Sequence, residues 1–355
     1  MGEIKLMKGN EAVAEAAIRA GADAYFGYPI TPQSEVMEYL ALQQPEKRTG
    51  MVLLQAESEI GAINMVYGAA STGKRAITSS SSPGISLKME CISYLAGSEL
   101  PCLIVNVVRG GPGLGTIQPS QADYFQATKG GGHGDYRLIV LAPASVQEMS
   151  DFVKLGFELA EKYRNPAMIL TDGVIGQMME KVEFFDQQPR KTEFNDPWML
   201  TGKTPGREKR VITSLDLDPT KMEKHNLHLI EKYKTIQEKE VLFEEIDCDD
   251  ADYIFVAYGS SARICQKTVK MAREDGLKVG LLRPITLFPF PSKRIAELAH
   301  RVQGFLSVEL NSGQMVEDVR LAVNGKVKVG HYGRMGGMIH SPEQVLCGLQ
   351  EFLVK

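Results

Sequence analysis

From Asn10 to about Phe185 the sequence alternates helical amphipathic stretches with short β-rich runs. That alternation commits the first half of the chain to a parallel sheet covered by helices, because each element must bury one apolar face against its neighbours. The expected strands cover residues 24–27, 51–55, 75–79, 102–107, 137–141 and 167–171, with helices between nearly all of them. Asn10 is suited to cap a helix ending before Gly21. The texture then changes. Trp198 and Pro205 flank polar sequence, and 219–245 reads as a charged helix. A second α/β pattern starts at Tyr253-Ile-Phe-Val-Ala-Tyr, turns at Gly259-Ser-Ser and returns at Val279-Gly-Leu-Leu as a βαβ unit. The expected organisation is a first domain over 1–186, a linker with a charged helix over 187–247 and a second α/β domain over 248–355.

With 355 residues, 43% hydrophobic and 24% charged, the chain has enough apolar sequence for two cores. Its net charge of −4 supplies no basic field, so neither nucleic acid nor an anionic membrane is expected as partner. The first residues carry charges where a secretory signal needs an apolar run, and no apolar run is long enough to span a bilayer. A cytoplasmic location is the expectation. The five cysteines, Cys91, Cys102, Cys248, Cys265 and Cys347, form no C-x-x-C pair and read as reduced core residues. His133 has no second candidate ligand near it, and no metal site is expected.

Tyr28-Pro29-Ile30-Thr31-Pro32 is the most distinctive motif. Thr31 is placed to cap a helix beginning at Pro32, whose missing N–H costs nothing at the first helical position. The plain reading is a rigid strand-to-helix turn. The same geometry presents free N–H groups to an anion, so Thr31 is also a candidate to bind a carboxylate. Glu57-Ser-Glu59 opens a helix of small and apolar residues that suits close packing on a flat surface or another subunit. Acids in a first turn favour the helix dipole in any case, but a poorly solvated carboxylate there also suits proton sharing with a ring nitrogen. Arg109-Gly-Gly-Pro-Gly-Leu-Gly-Thr follows an apolar strand, where ligands of open α/β sheets bind, and its guanidinium fork matches a carboxylate. The glycines lack the Lys-Ser/Thr of a phosphate loop. Ser79-Ser-Ser-Ser-Pro-Gly and Gly130-Gly-Gly-His-Gly are further loops near the same strand ends.

In this order, Tyr28-Pro-Ile-Thr-Pro, the Glu59-x-Gly-Ala segment, the 79–84 loop and Arg109 make the chain resemble the α-type subunit of 2-oxoacid:ferredoxin oxidoreductases, most closely the 2-oxoisovalerate branch. The resemblance implies an α/β fold in which a pyrimidine-binding domain for thiamine diphosphate precedes a transketolase C-terminal-like domain. It implies that Thr31 and Arg109 contact the substrate carboxylate. Pro29, Ile30 and Glu59 would contact the cofactor, with Glu59 on the aminopyrimidine ring as the catalytic residue. A carboxylate there sets the ring tautomer and orientation while the cofactor does the hard chemistry. Glu59 is preferred to Glu57 for its distance from Gly68-Ala69.

No Gly-Asp-Gly followed by Asn is present, the pattern that holds Mg²⁺ and diphosphate in thiamine enzymes. The resemblance therefore implies a diphosphate-binding β subunit together with γ and ferredoxin-like δ subunits, with the iron–sulfur clusters on other subunits than this one and ferredoxin as electron acceptor. The implied reaction converts a 2-oxo acid and coenzyme A to acyl-CoA, carbon dioxide and reduced ferredoxin. Two alternatives stand beside it: the β chain of a lipoamide-linked 2-oxoacid dehydrogenase complex, and a non-catalytic scaffold subunit.

Overall fold

The computed structural model describes residues 3–193, 196–203 and 205–354. Its strands are β1 (Glu3–Lys8), β2 (Ala24–Gly27), β3 (Val52–Gln55), β4 (Ala76–Ser80), β5 (Leu103–Val108), β6 (Ile139–Leu141), β7 (Ala167–Asp172), β8 (Met179–Phe184), β9 (Phe243–Ile246), β10 (Tyr253–Val256), β11 (Val279–Pro284), β12 (Thr286–Phe288), β13 (Gly304–Glu309) and β14 (Lys328–Gly333). Each of the six strands expected in the first half is present to within two residues at either end.

Seven strands form the first sheet in the order β12-β6-β7-β5-β4-β2-β3. All pairings are parallel except β12 on β6. Strands β5 and β7 are buried along their whole length, as continuous apolar runs covered on both faces must be. The second sheet runs β14-β13-β10-β11-β9 and is parallel apart from β9 on β11. Residues 243–246, inside the stretch expected to connect the domains, thus form an edge strand, and the charged helix before it spans Pro219–Lys239.

The two sheets share the chain at their junction. After leaving β11 the polypeptide adds β12 to the first sheet before returning to the second. A buried polar network ties the halves together. The Gln121 side chain donates to Tyr258 O at 2.9 Å and accepts from Ser261 Oγ and Leu310 N at 2.9 and 3.1 Å. Ser260 Oγ donates to Asp172 at 2.6 Å. Arg283 grips Glu148 through both terminal nitrogens at 2.8 and 2.7 Å and Glu244 through Nε at 2.8 Å.

Three local expectations change. Asn10 does not cap its helix. The helix spans Gly9–Arg19 with Lys8 as cap, and Asn10 lies inside it, donating to Pro32 O at 2.7 Å and to Glu35. Cys347 is exposed, whereas the other four cysteines are buried. Strands β1 and β8 form an antiparallel ribbon that the sequence pattern did not announce. Among the described residues no helix is long and apolar enough to cross a membrane.

Candidate functional site

In the first sheet the chain starts at β2, adds β3 on one side and then reverses to add β4 and β5 on the other. Loops leaving the C-terminal ends of β2 and β4 diverge at that reversal, which opens the crevice where open α/β sheets bind ligands. The loop after β2 carries Tyr28–Pro32, the loop after β4 carries Ser81–Pro83, and Arg109 follows β5. At the neighbouring edge, Ala56 N donates to Gly27 O at 2.9 Å and fixes the entry to the helix Glu59–Ser71. Topology therefore collects motifs that lie far apart in sequence.

Arg109 and Thr31 are joined directly. Arg109 Nη1 donates to the Thr31 carbonyl at 2.9 Å and Nη2 to Leu114 O at 3.0 Å, while Nε is buried without a partner. Thr31 itself is exposed and does not cap a helix. The helix begins at Ser34 with Gln33 as cap residue, because the chain first makes a turn in which Gln33 N donates to Ile30 O at 3.0 Å. Pro32, joined to Thr31 by a cis peptide bond, has its carbonyl taken by Asn10 and by Gln177 Nε2 at 3.0 Å rather than by a helical N–H. Pro29 is exposed and Ile30 half-buried on the same loop.

Glu59 starts its helix and is only 7% exposed, whereas Glu57 is exposed. Ser58 caps this helix, its Oγ accepting from Gly61 N at 3.1 Å. No hydrogen bond from a described residue reaches the Glu59 carboxylate. Opposite it lies Gly84, at the start of the helix Pro83–Gly97. A Cβ added there would stand 2.8 Å from Glu59 Oε1 and 2.2 Å from Ser80 Oγ, so glycine is required by close approach. The hydroxyls of Ser80 and Ser81 are buried without partners beside it.

Between Arg109 and Glu59 sits Ser82, with φ 20° and ψ −81°, a conformation that costs an L residue energy and persists only when its surroundings hold it. Its N–H donates to Asn106 Oδ1 at 3.1 Å, its Oγ donates to Asp123 at 2.7 Å, and Arg109 N donates to its Oγ at 3.1 Å. Burial raises the Asp123 carboxyl above its usual range, against hydrogen bonds from Asn106 and Ser82 that lower it. Sequence reading passed over Gln33, Asn106 and Asp123, and reached Ser82 only as part of the 79–84 loop. Only the serine run gave a signal, and its geometry was invisible.

The second domain reaches the same region. A Cβ on Gly110 would meet the backbone of Gly336 and Gly337 at 2.9 Å, and one on Gly337 would strike Gln118 at 2.3 Å. The loop following β14 thus lies against the Arg109 loop. The Gly130–Gly134 loop sits further off, where Gly131 and Gly132 pack on Met89 and Ser93 and donate to Tyr136 OH at 3.3 and 2.9 Å. His133 within it is exposed.

Comparison with known proteins gives this crevice a context. Residues 15–242 match the family described as pyruvate flavodoxin/ferredoxin oxidoreductase, thiamine diphosphate-binding, and residues 251–345 match pyruvate:ferredoxin oxidoreductase core domain II. The ketoisovalerate oxidoreductase subunit VorB of Methanothermobacter thermautotrophicus is 52% identical, with 98% of this chain and 97% of that protein covered. The 2-oxoglutarate synthase subunit KorA of the same organism is 38% identical, with 98% of each covered. A solved 2-oxoglutarate:ferredoxin oxidoreductase from Magnetococcus marinus, holding 2-oxoglutarate, coenzyme A and succinyl-CoA, superposes with a TM-score of 0.86 at 28% identity over 99% of this chain and 65% of that one. A split-gene transketolase, at TM-score 0.61 and 14% identity, shares the fold. With both of its halves matched and its relatives aligned nearly end to end, the chain belongs to the 2-oxoacid:ferredoxin oxidoreductases, as a thiamine diphosphate-binding subunit.

Proposed function

We propose that this chain supplies the aminopyrimidine side of a thiamine diphosphate site in an oxidoreductase that converts 2-oxoisovalerate, or a related branched 2-oxo acid, and coenzyme A to acyl-CoA, carbon dioxide and reduced ferredoxin. The observation that carries it is Glu59: a buried carboxylate that accepts no hydrogen bond from any described residue and is seated in the slot left by the missing Cβ of Gly84. The aminopyrimidine ring of thiamine diphosphate would supply the donor that this carboxylate lacks. When bound, the cofactor supplies a carbon nucleophile and an electron sink for the decarboxylation.

The rest falls to this chain's own residues. Glu59 holds one proton between its carboxylate and the ring nitrogen and so sets the ring's tautomer. Pro29 and Ile30 line the ring's approach on the β2 loop. Arg109, oriented by the Thr31 and Leu114 carbonyls, presents its guanidinium to the substrate carboxylate beside Thr31. Residues 1–186 act as the ring-binding domain, 187–247 as connector and 248–355 as the transketolase C-terminal-like domain.

A diphosphate-binding β subunit completes the site on this reading. The exposed apolar side chains Ile60 and Leu87, on the two helices that flank the Glu59 slot, suit a protein partner better than water. The chain's own cysteines are scattered, so iron–sulfur clusters and the path to ferredoxin belong to other subunits, with γ and ferredoxin-like δ subunits completing the assembly. The preference for the branched substrate rests on the high identity to VorB.

The test is anaerobic. The tagged chain is purified with its native partners, and coenzyme-A-dependent viologen reduction is compared for 2-oxoisovalerate, pyruvate and 2-oxoglutarate. Fastest turnover of 2-oxoisovalerate supports the assignment. A preference for either other acid overturns the substrate, and no turnover with any of them, in a complex loaded with thiamine diphosphate, overturns the reading.

A further inference from the structure

The helix Pro83–Gly97 carries a lysine where an apolar residue belongs. Lys88 is fully buried, one turn beyond Gly84 and therefore on the same helix face, the face turned to Glu59. Its Nζ donates to Thr78 Oγ1 at 2.7 Å and to Ser79 O at 3.3 Å. Both partners are neutral. A buried ammonium normally takes an anion as direct partner, because two neutral acceptors do not repay the loss of water.

The charged group that acts on Lys88 is Glu59, through space and without a direct hydrogen bond. Three other titratable groups stand on the elements around it. Tyr25 reaches Ser79 Oγ from β2 at 2.6 Å, and burial pushes its phenol up to about 12. Cys91 lies one turn further along the helix, with its thiol likewise pushed up to about 12 by burial. Asp123 reaches Ser82 at the helix start. Tyr25 and Cys91 stay neutral near pH 7.

We propose that Lys88 is a positioning residue for Glu59, a buried amine whose charge governs the form in which that carboxylate meets the cofactor ring. The inference rests on the reading of Glu59 given above. Burial pulls the Lys88 amine down to about 7, while Glu59 opposes the shift, so the charge beside the slot is balanced near neutrality. A small change in pH then alters the field on Glu59 with no change of backbone. This device is distinct from the cap and dipole of the helix that carries Glu59.

The experiment uses the assembled complex stripped of its cofactor. The dissociation constant of thiamine diphosphate is measured by calorimetry from about pH 5.5 to about pH 8.5, a range that brackets the Lys88 titration. In the unaltered complex the logarithm of this constant is expected to change slope near neutrality. Lys88→Arg, charged throughout, and Lys88→Met, uncharged throughout, are both expected to lose that change of slope. Either variant suffices if the other does not assemble. A break that survives in the variants, with affinity merely weakened, overturns the proposal. Absence of a break in the unaltered complex overturns it too. Glu59→Gln, run alongside, separates the two readings: cofactor affinity untouched by that change overturns the role of Glu59 itself, whereas a Glu59-dependent affinity with the break intact in Lys88→Arg overturns Lys88 alone.

Discussion

Glu309 and Glu59 are both buried, and each sits beside the N-terminus of a helix, yet the donors around them differ. Glu309 ends β13 and is fully enclosed. Its carboxylate accepts from Ser307 Oγ at 2.9 Å, Asn311 Nδ2 at 3.0 Å, and the backbone N–H groups of Gln314, Met315 and Val316 at 3.2, 2.7 and 2.9 Å. Those N–H groups open the helix Met315–Val323, so a charged cap replaces the usual Ser or Asp. Glu59 receives none of this. The first carboxylate is saturated and holds the second domain together; the second keeps its lone pairs for something that arrives.

The largest effect expected from this contrast is on catalysis. Glu59→Gln keeps the shape of the side chain and removes its proton exchange. Turnover of the assembled complex in viologen reduction should fall by about 10²–10⁴-fold, the usual contribution of a positioned acid–base group. Assembly and thermal stability should stay close to normal, since no protein donor loses its acceptor. A fall of less than about threefold, against that expectation, would make Glu59 a bystander and the chain a scaffold.

Glu309→Ala should behave in the reverse way. It leaves three backbone N–H groups and two side chains without their acceptor in a dry interior. The expected cost is about 3 kcal/mol or more in denaturant unfolding. If the variant unfolds like the native protein, the idea that donor saturation marks a structural carboxylate is wrong.

How much of this contrast could be read in the sequence differs between the two sites. Glu59 was legible because it stands in a spaced set with Tyr28–Pro32 and Arg109, and the strand-to-loop pattern put all three at the same sheet edge. Glu309 was not. It closes an apolar strand that looks like any other, and its donors come from a loop whose shape only the folded chain defines. Lys88 was hidden for a related reason, since a lysine among Ile85, Met89 and Ile92 reads as a helix surface until both neighbouring elements are in place. The Thr31 cap failed because competition for the Pro32 carbonyl comes from Asn10 and Gln177, one of them more than 140 positions away. The strand alternation fixed six strands of the first sheet, but a strand such as β12, which leaves its own domain to extend the other sheet, has no local signature.

Acid sensitivity provides a smaller test in the second domain. His340 is buried against Tyr332, with ring centroids 5.4 Å apart, and burial pulls its imidazole down to about 4. Its unfolded value lies near 6.5, so the unfolded chain binds the extra proton first as pH falls. Stability is therefore full above about pH 6.5 and is lost as pH drops toward about 4, by on the order of 3 kcal/mol. His340→Phe, which keeps a ring against Tyr332, should flatten this limb in urea unfolding measured at each pH. A limb unchanged in that variant would move the sensitivity to another group, His331 foremost, whose imidazole is also lowered by burial.

The smallest effect separates the two kinds of helix start within the first domain. Ser58 and Ser145 cap their helices alike, each hydroxyl accepting an N–H at 3.1 Å, from Gly61 and Glu148. Replacing either by alanine removes one cap and should cost about 1 kcal/mol of stability. The functional consequences should part company. Ser145 caps the helix Val146–Tyr163 after β6, which lies two strands beyond β5 in the sheet order, and its loss should leave turnover unchanged. Ser58 precedes Glu59, so fraying of that first turn loosens the carboxylate against its slot. Ser58→Ala should then lower turnover by about threefold to tenfold at saturating substrate, in step with weaker retention of thiamine diphosphate on gel filtration. Equal turnover in the two variants would mean that Gly84 and the surrounding serines position Glu59 without help from its own helix cap.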